Sequence, residues 1–201
     1  MVKLAKLLYQ GHGSFRIVTD SKIVIYVDPY AGEGYNLPAD IILITHEHMD
    51  HAKVELITQK ENCKVLRAES MLINGEYKRV QIENIEIESV PAYNKNHDKN
   101  KCVGYVIKVD GVKIYAAGDT STTEYMKTNL SKENLDYALL PSDGFYNMDV
   151  KEAEKCAEII GAKYAIPIHM KPGELFDIQV AEKFCPANRL IIKPGEEINL
   201  R

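Results

Sequence analysis

Three of the six histidines in this 201-residue chain fall within one short segment, Thr45–His51. The segment has the pattern His-x-His-x-Asp-His and follows the apolar run Asp40–Ile44, which predicts a buried strand. Imidazole and carboxylate groups are the usual ligands of zinc and similar divalent cations. The pattern therefore predicts a metal site rather than a polar surface loop. A turn after the strand could direct four side chains into one cleft, namely His46, His48, Asp50 and His51.

The segment resembles the first metal motif of the metallo-β-lactamase superfamily of metal-dependent hydrolases. Within that superfamily, the chain is most similar to a small branch that includes ascorbate-6-phosphate lactonase-like proteins. The resemblance covers nearly the whole chain, because motifs farther along match as well. It implies an α/β fold, the four-layer αββα sandwich, with the metals at one edge. We expect residues 1–201 to form a single domain of this kind.

Two later motifs also match those of the superfamily. Gly118-Asp119-Thr120 follows a predicted strand, and the resemblance implies that Asp119 bridges two metal ions. His169 follows the apolar run Tyr164–Ile168 and corresponds to the last metal motif of the superfamily. A buried structural histidine is the alternative interpretation of His169.

The third motif departs from the common spacing. Its usual histidine position, shortly after a Pro-Ala dipeptide, is held by Tyr93 and Asn94, and the nearby histidine is His97. We expect His97 to be the ligand. The alternatives are a solvated histidine, or a site in which Asn94 or a water molecule fills the position. The family pattern then implies two metal groups bridged by Asp119, namely His46, His48 and His97, and Asp50, His51 and His169.

Three further residues are candidates for contacts to the ligands or to the substrate. His12 lies between two glycines in a segment similar to one near the superfamily's metal site, although an ordinary turn histidine is the alternative. Asp28 ends an apolar strand and could hold the outer nitrogen of a ligating histidine, or could cap the strand. Tyr146 lies in a loop that the branch has beside its active site, where it could contact substrate or merely pack.

The chemistry follows from the kind of site. Two neighbouring cations can bind a shared water molecule and lower its pKa toward neutrality. The implied function is a hydrolase whose metal-bound hydroxide attacks a phosphodiester, lactone or related ester of a small molecule, with Asp50 orienting the nucleophile or accepting a proton. Zinc is the expected metal, and the nitrogen and oxygen ligands also permit manganese, iron or nickel. The alternative is a metal-binding sensor or binding module with an incomplete, non-catalytic site.

Composition excludes several other classes of protein. The net charge of −4 gives no support for nucleic-acid binding, and no apolar run is long enough to span a bilayer. The four cysteines form no Cys-x-x-Cys pair, which argues against a structural zinc site. Segment Met1–Tyr9 contains lysines and runs into a strand predicted over Leu4–Tyr9, unlike a signal peptide, so we expect a cytoplasmic protein.

The remaining pattern predicts short strands and helices. Asp110-Gly111 lies between two alternating runs and predicts a β-hairpin. Asp149 predicts the N-cap of a helix that Gly161 closes. We also expect a short helix over Ser70–Asn74 and a closing strand over Leu190–Ile192.

Overall fold

Two six-stranded sheets face each other in the computed structural model, which describes residues 4–201. The strand that the sequence predicts over Leu4–Tyr9 is present as the first strand of the chain. In chain order the strands are β1 (Lys6–Gly11), β2 (Ser14–Val18), β3 (Val24–Val27), β4 (Ala39–Ile44), β5 (Gln59–Arg67), β6 (Leu72–Ile73), β7 (Glu76–Tyr77), β8 (Arg79–Ile82), β9 (Ile85–Pro91), β10 (Val103–Val109), β11 (Val112–Ala116), β12 (Tyr137–Pro141), β13 (Tyr164–Ile168) and β14 (Glu197–Asn199).

Both sheets mix antiparallel and parallel pairs in a similar order. The first sheet runs β14-β1-β2-β3-β4-β5, and its β3, β4 and β5 are parallel. The second runs β13-β12-β11-β10-β9-β8, and its β11, β12 and β13 are parallel. The predicted hairpin at Asp110-Gly111 is confirmed, because it joins the antiparallel strands β10 and β11. Parallel neighbours end at the same edge of a sheet, so the residues that follow them are brought together.

Apolar side chains from the inner faces of both sheets form the core. Phe15 and Ile25 of the first sheet belong to one buried cluster with Tyr105 and Ile107 of the second, and all four are fully buried. Tyr105 also donates its hydroxyl hydrogen to the backbone oxygen of Ile44 at 3.0 Å. The sheets are therefore joined by apolar burial and by a buried hydrogen bond near the end of β4.

The outer faces of the two sheets are covered differently. The helices are α1 (Ala68–Met71), α2 (Glu124–Thr128), α3 (Val150–Ile160) and α4 (Ile178–Lys183). Buried residues of α2 and α3 pack on the second sheet. Over the first sheet the layer consists of loop residues such as Tyr35 and Leu37 with a 3-10 turn, Val54–Leu56. The predicted α/β sandwich is confirmed, with a helical layer reduced to a turn on this side.

Helix α3 begins and ends where the sequence predicts. The side chain of Asp149 accepts a hydrogen bond from the backbone N–H of Glu152 at 2.9 Å. Gly161 follows the helix in the left-handed conformation, with φ of 65°. None of the helices in residues 4–201 has the length and apolarity needed to cross a membrane.

Two predicted elements are wrong. The helix expected over Ser70–Asn74 is instead the end of α1 followed by the β6–β7 hairpin, because Asn74 and Gly75 both have positive φ and form its turn. The strand expected over Leu190–Ile192 is absent from the described sheets. There the backbone makes one hydrogen bond to β13, from Leu190 N to Ala165 O. The chain then contacts β1 at Gly195.

Candidate metal centre

The described structure brings all the predicted ligands to one edge of the sandwich, beyond the ends of strands β4, β9, β11 and β13. The first metal motif follows β4, and Asp119 lies three residues beyond β11. His97 lies in the loop after β9, and His169 directly follows β13. The parallel strands of the two sheets thus account for most of this convergence, since their carboxyl ends meet across the sandwich.

Three strand ends turn sharply into this edge. His12, Asp28 and His169 have φ of 55°, 45° and 43°, a left-handed conformation that residues other than glycine adopt at a cost of about 1 kcal/mol or more. Backbone hydrogen bonds hold all three. Asp28 N donates to Leu43 O at 2.9 Å, and His169 N donates to His12 O at 2.9 Å. The fold therefore imposes these turns, as is common where side chains must point into a site.

The ligand atoms form two groups. In the first metal group, which consists of His46, His48 and His97, one ring nitrogen of each lies within 4.8 Å of the others. The second metal group consists of Asp50, His51 and His169, whose ligand atoms lie within 4.8 Å of one another and of a ring nitrogen of His12. A third set, which overlaps both groups, joins His46, His51 and Asp119.

Asp119 lies between these groups. Its Oδ2 is 3.2 Å from His97 Nε2 and 3.4 Å from His169 Nε2, and its Oδ1 is 3.3 Å from His51 Nε2. Gly118 allows this approach, because a Cβ there would lie 2.9 Å from Thr45 Cβ. One carboxylate thus contacts a member of each group, as expected for a bridging residue.

Several polar atoms at the centre lack a hydrogen-bond partner. The atoms that face the cluster are His46 Nε2, His51 Nε2, His169 Nε2 and Asp119 Oδ1, and all are buried; His169 Nδ1, on the outer side of its ring, also makes no hydrogen bond of good geometry. A buried polar atom without a partner costs about 1–3 kcal/mol. Nitrogen and carboxylate-oxygen donors that converge in this way fit divalent cations, which would satisfy these atoms together.

The first sheet holds its histidines through Asp28. Its Oδ2 lies 2.9 Å from His51 Nδ1 and accepts the Thr45 hydroxyl at 2.7 Å, while Oδ1 accepts Thr45 N at 2.8 Å. The Thr45 hydroxyl oxygen lies 3.0 Å from His46 Nδ1. Since the carboxylate only accepts hydrogen bonds, His51 donates from Nδ1, which leaves Nε2 free to bind a cation. Asp28 therefore makes the contact to a histidine that the sequence suggested.

The second sheet holds its histidines through residues that the sequence interpretation partly missed. His169 Nδ1 lies 2.9 Å from Oδ2 of Asp143, whose side chain is fully buried. Asp143 was not among the predicted site residues, although an aspartate directly after the buried strand β12 and before Gly144 was the available signal. His97 Nδ1 lies 2.9 Å from Asn94 Oδ1. Asn94 thus contacts the outer side of His97, and it is His97 that joins the cluster.

His12 and Asp50 form a further contact beside the second metal group. His12 is fully buried, and its Nε2 lies 3.1 Å from Asp50 Oδ2. Its Nδ1 lies 3.0 Å from the backbone oxygen of Glu174, so both ring nitrogens of His12 face hydrogen-bond acceptors. Asp50 remains partly exposed, with 29% of its side-chain surface accessible. His12 therefore orients a carboxylate that faces both the cluster and the solvent.

The charges of the cluster shift the pKa values of its members. Burial lowers the pKa of His51, but the carboxylates of Asp119 and Asp28 outweigh burial and raise this pKa to about 9. Burial raises the pKa of Asp119, but the charges of His51 and His169 hold it well below its usual range. Burial, together with the charge of His51, lowers the pKa of His46. A proton on His51 thus offsets carboxylate charge at a position that a cation can take over.

An open cleft of about 800 Å³ leads to the cluster. Its lining combines polar ligands with Tyr30, Met49 and Tyr146. Met49 and Tyr146 are 77% and 46% exposed. Tyr146, which the sequence suggested as a substrate contact, therefore lies at the rim of the cleft and not in the cluster itself. The rim offers apolar surface beside the charged centre.

Comparison with known proteins agrees with this architecture. The sequence model of the Beta-lactamase superfamily domain matches residues 6–169, which include every predicted ligand. The chain therefore belongs to the metallo-β-lactamase superfamily, as its motifs implied. Igni18, a metallo hydrolase of the archaeon Ignicoccus hospitalis, has the same fold. Its TM-score is 0.77 at 24% identity, with 98% of each chain covered.

Relatives with higher sequence identity indicate a narrower class of protein. The chain is 33% identical to a UPF0173 metal-dependent hydrolase of Thermococcus onnurineus and 32% identical to one of Pyrococcus furiosus. Each alignment covers 98% of this chain and all of the relative. These relatives support an enzyme that uses a divalent metal to catalyse hydrolysis. The narrower resemblance to ascorbate-6-phosphate lactonase-like proteins stays a prediction.

Proposed function

We propose that the protein is a dinuclear metal-dependent hydrolase that cleaves a phosphodiester, lactone or related ester. The observation that carries this proposal is the position of Asp119, which contacts histidines of both metal groups within 3.4 Å. A carboxylate shared in this way suits two cations rather than one. Zinc is the expected metal, and manganese, iron and nickel are compatible with the same donors.

In this proposal the first metal group would hold one cation and the second group the other, with Asp119 available to both. When bound, the cations lower the pKa of a water molecule and stabilise negative charge on the reacting oxygens. His46 and His51 present Nε2 to the centre because Thr45 and Asp28 occupy their Nδ1 atoms. The histidines therefore need no change of tautomer to act as ligands.

Asp50 is the proposed proton acceptor of the reaction. Burial raises its pKa, but the hydrogen bond with His12 and the charge of His51 outweigh burial and lower it. Asp50 is therefore ionised at neutral pH and can orient an attacking water molecule; as a weak base it would accept the proton only of a water molecule already made acidic by bound cations. Its partial exposure lets that proton pass to solvent, and His12 holds the carboxylate in place throughout.

The cleft favours a substrate with an apolar portion. Tyr30, Met49 and Tyr146 supply aromatic and thioether surface beside the cluster, and the non-reacting part of a substrate can bury it. We therefore expect esters or lactones with aromatic or alkyl substituents to be cleaved faster than unsubstituted ones.

The test is a comparison of Asp119→Asn with Asp98→Asn, which makes the same change in an exposed loop. Both variants and the wild type are loaded with zinc, manganese, iron or nickel and assayed on aryl phosphodiesters and aryl-substituted lactones. We expect Asp119→Asn to lower kcat/KM by roughly 100-fold or more, and Asp98→Asn to resemble the wild type. A wild type that binds metal but cleaves none of these substrates would instead support the sensor or binding module.

A further inference from the structure

A continuous chain of polar contacts joins the two metal groups on their outer side. Asn94 Oδ1 lies 2.9 Å from His97 Nδ1, and Asn94 Nδ2 donates to Asn147 Oδ1 at 3.2 Å. Asn147 Nδ2 in turn donates to Asp143 Oδ2 at 2.9 Å, and this oxygen lies 2.9 Å from His169 Nδ1. These polar contacts therefore lead from a residue of the first metal group to a residue of the second without passing through the cluster.

The direction of each hydrogen bond in this chain is fixed by its neighbour. The carboxylate of Asp143 only accepts, so Asn147 must present its amide N–H to Asp143 and its oxygen to Asn94. Asn94 must then present its N–H to Asn147 and its oxygen to His97. That oxygen can only accept a hydrogen bond from His97 Nδ1, which leaves Nε2 without a proton. These contacts thus place an acceptor oxygen beside the outer Nδ1 of both His97 and His169.

Asn94 and Asn147 are well placed to hold this arrangement. Asn147 is 8% exposed, and its amide contacts both neighbours in the chain. Asn94 Nδ2 also donates to the backbone oxygen of Tyr146 at 3.0 Å, and its Oδ1 accepts the backbone N–H of Asn96 at 2.8 Å. The contact between Asn94 and Asn147 therefore joins the loop after β9 to the loop after β12.

We propose that Asn94 and Asn147 are positioning residues that couple the two metal groups. This inference rests on the proposed two-metal site. Loss of Asn94 frees the ring of His97 and weakens the first metal group alone. Loss of Asn147 removes one hydrogen bond from Asn94 and one from Asp143, and so weakens both groups although Asn147 contacts none of the proposed ligands. Removal of such outer contacts typically lowers metal affinity by roughly 10- to 100-fold.

The test is a zinc titration of metal-free protein against a chromophoric chelator, which yields two stepwise affinities without an activity assay. His97→Ala identifies the equivalent that belongs to the first metal group. We expect Asn94→Ala to weaken that equivalent by roughly 10-fold or more, and Asn147→Ala to weaken both. For the zinc equivalent of the first metal group, the double variant Asn94→Ala/Asn147→Ala should lose as much affinity as Asn94→Ala alone. The contact between Asn94 and Asn147 is already broken in Asn94→Ala.

Asn96→Ala is the matched control. Asn96 lies in the same loop and donates to the Tyr146 backbone oxygen at 2.9 Å, but it stands outside the chain of contacts. We expect it to keep both affinities of the wild type. Asn94→Asp is the control for misfolding. Its side chain still accepts a hydrogen bond from His97 but no longer donates one to Asn147. It should therefore keep the zinc affinity of the first metal group closer to the wild-type value than Asn94→Ala does.

Three outcomes would overturn the coupling. They are equal effects of Asn96→Ala and Asn147→Ala, an effect of Asn147→Ala on one equivalent only, and additive losses in the double variant. Each of these leaves two equivalents bound to the wild type and so leaves the proposed function intact. A wild type that binds fewer than two equivalents would overturn the proposed function together with the coupling.

Discussion

The two sheets hold their metal-site histidines in different ways. In the first sheet, Asp28 and Thr45 follow neighbouring parallel strands, and the register of β3 and β4 sets their contact. In the second sheet, Asn94 and Asn147 lie in loops, and side-chain amides make the contact between them. The strand register thus fixes the first arrangement, while the second depends on loop side chains that bond to one another and to the backbone of their own loops. We expect the first sheet to set the stability of the site and the second to tune its metal affinity.

Asp28→Ala should produce the largest loss of stability. Asp28 and Thr45 are buried, so Thr45 N and the Thr45 hydroxyl would lose their partner without access to water. We expect the free energy of unfolding of the metal-free protein to fall by about 4 kcal/mol. Urea unfolding followed by circular dichroism measures this change, and a loss below about 1 kcal/mol would contradict the role of Asp28.

A pH dependence should follow from His51, which belongs to the first sheet's arrangement. Its pKa is about 9 in the folded chain and ordinarily 6.5, so it stabilises the metal-free protein fully below pH 6.5. This stability, on the order of 3 kcal/mol, is lost as the pH rises through 9.

Urea unfolding of metal-free protein at intervals from pH 6 to pH 10 tests this dependence. Zinc affinity should rise over the same range, because zinc must displace the proton of His51. The dependence should be weaker in Asp28→Ala, which lacks one of the carboxylates that raise this pKa. Stability that is constant across the range would contradict the assignment of the proton to His51.

Asp143→Ala should have a smaller effect on stability than Asp28→Ala and so sharpens the comparison. Asp143 accepts the backbone N–H groups of Phe145, Tyr146 and Asn147 at 2.5, 2.7 and 3.2 Å, but Phe145 and Tyr146 are exposed, so water can reach the N–H groups that the substitution frees there. We expect a loss of about 2 kcal/mol in the free energy of unfolding, together with weakened zinc binding. Equal destabilisation by Asp28→Ala and Asp143→Ala would contradict the difference between the sheets.

The sequence predicted those parts of the site that depend on local pattern. The motif after β4, Asp119 after β11 and His169 after β13 each follow a recognisable buried strand, and the fold brings them together as parallel strand ends must. Asp28 was recognisable for the same reason. Features of the site that depend on the pattern of a single segment could therefore be predicted from the sequence.

Contacts between distant loops could not be predicted in the same way. The choice between His97 and Asn94 depends on a loop conformation that brings Asn94 against Asn147, more than 50 residues away. Asp143 was missed because its contact to His169 joins the loop after β12 to the residue after β13, which no local sequence pattern indicates. The helix expected over Ser70–Asn74 failed for a local reason, since Asn74-Gly75 signals a hairpin turn as readily as a helix end.

The most direct test of the two-metal centre is the number of metal ions bound per chain. Protein purified without chelator is analysed by elemental analysis, alongside His97→Ala and Asp119→Asn. We predict about two equivalents in the wild type and about one in His97→Ala, whose first metal group is incomplete. A single equivalent in the wild type, or none after reconstitution with zinc, manganese and iron, would contradict the dinuclear centre.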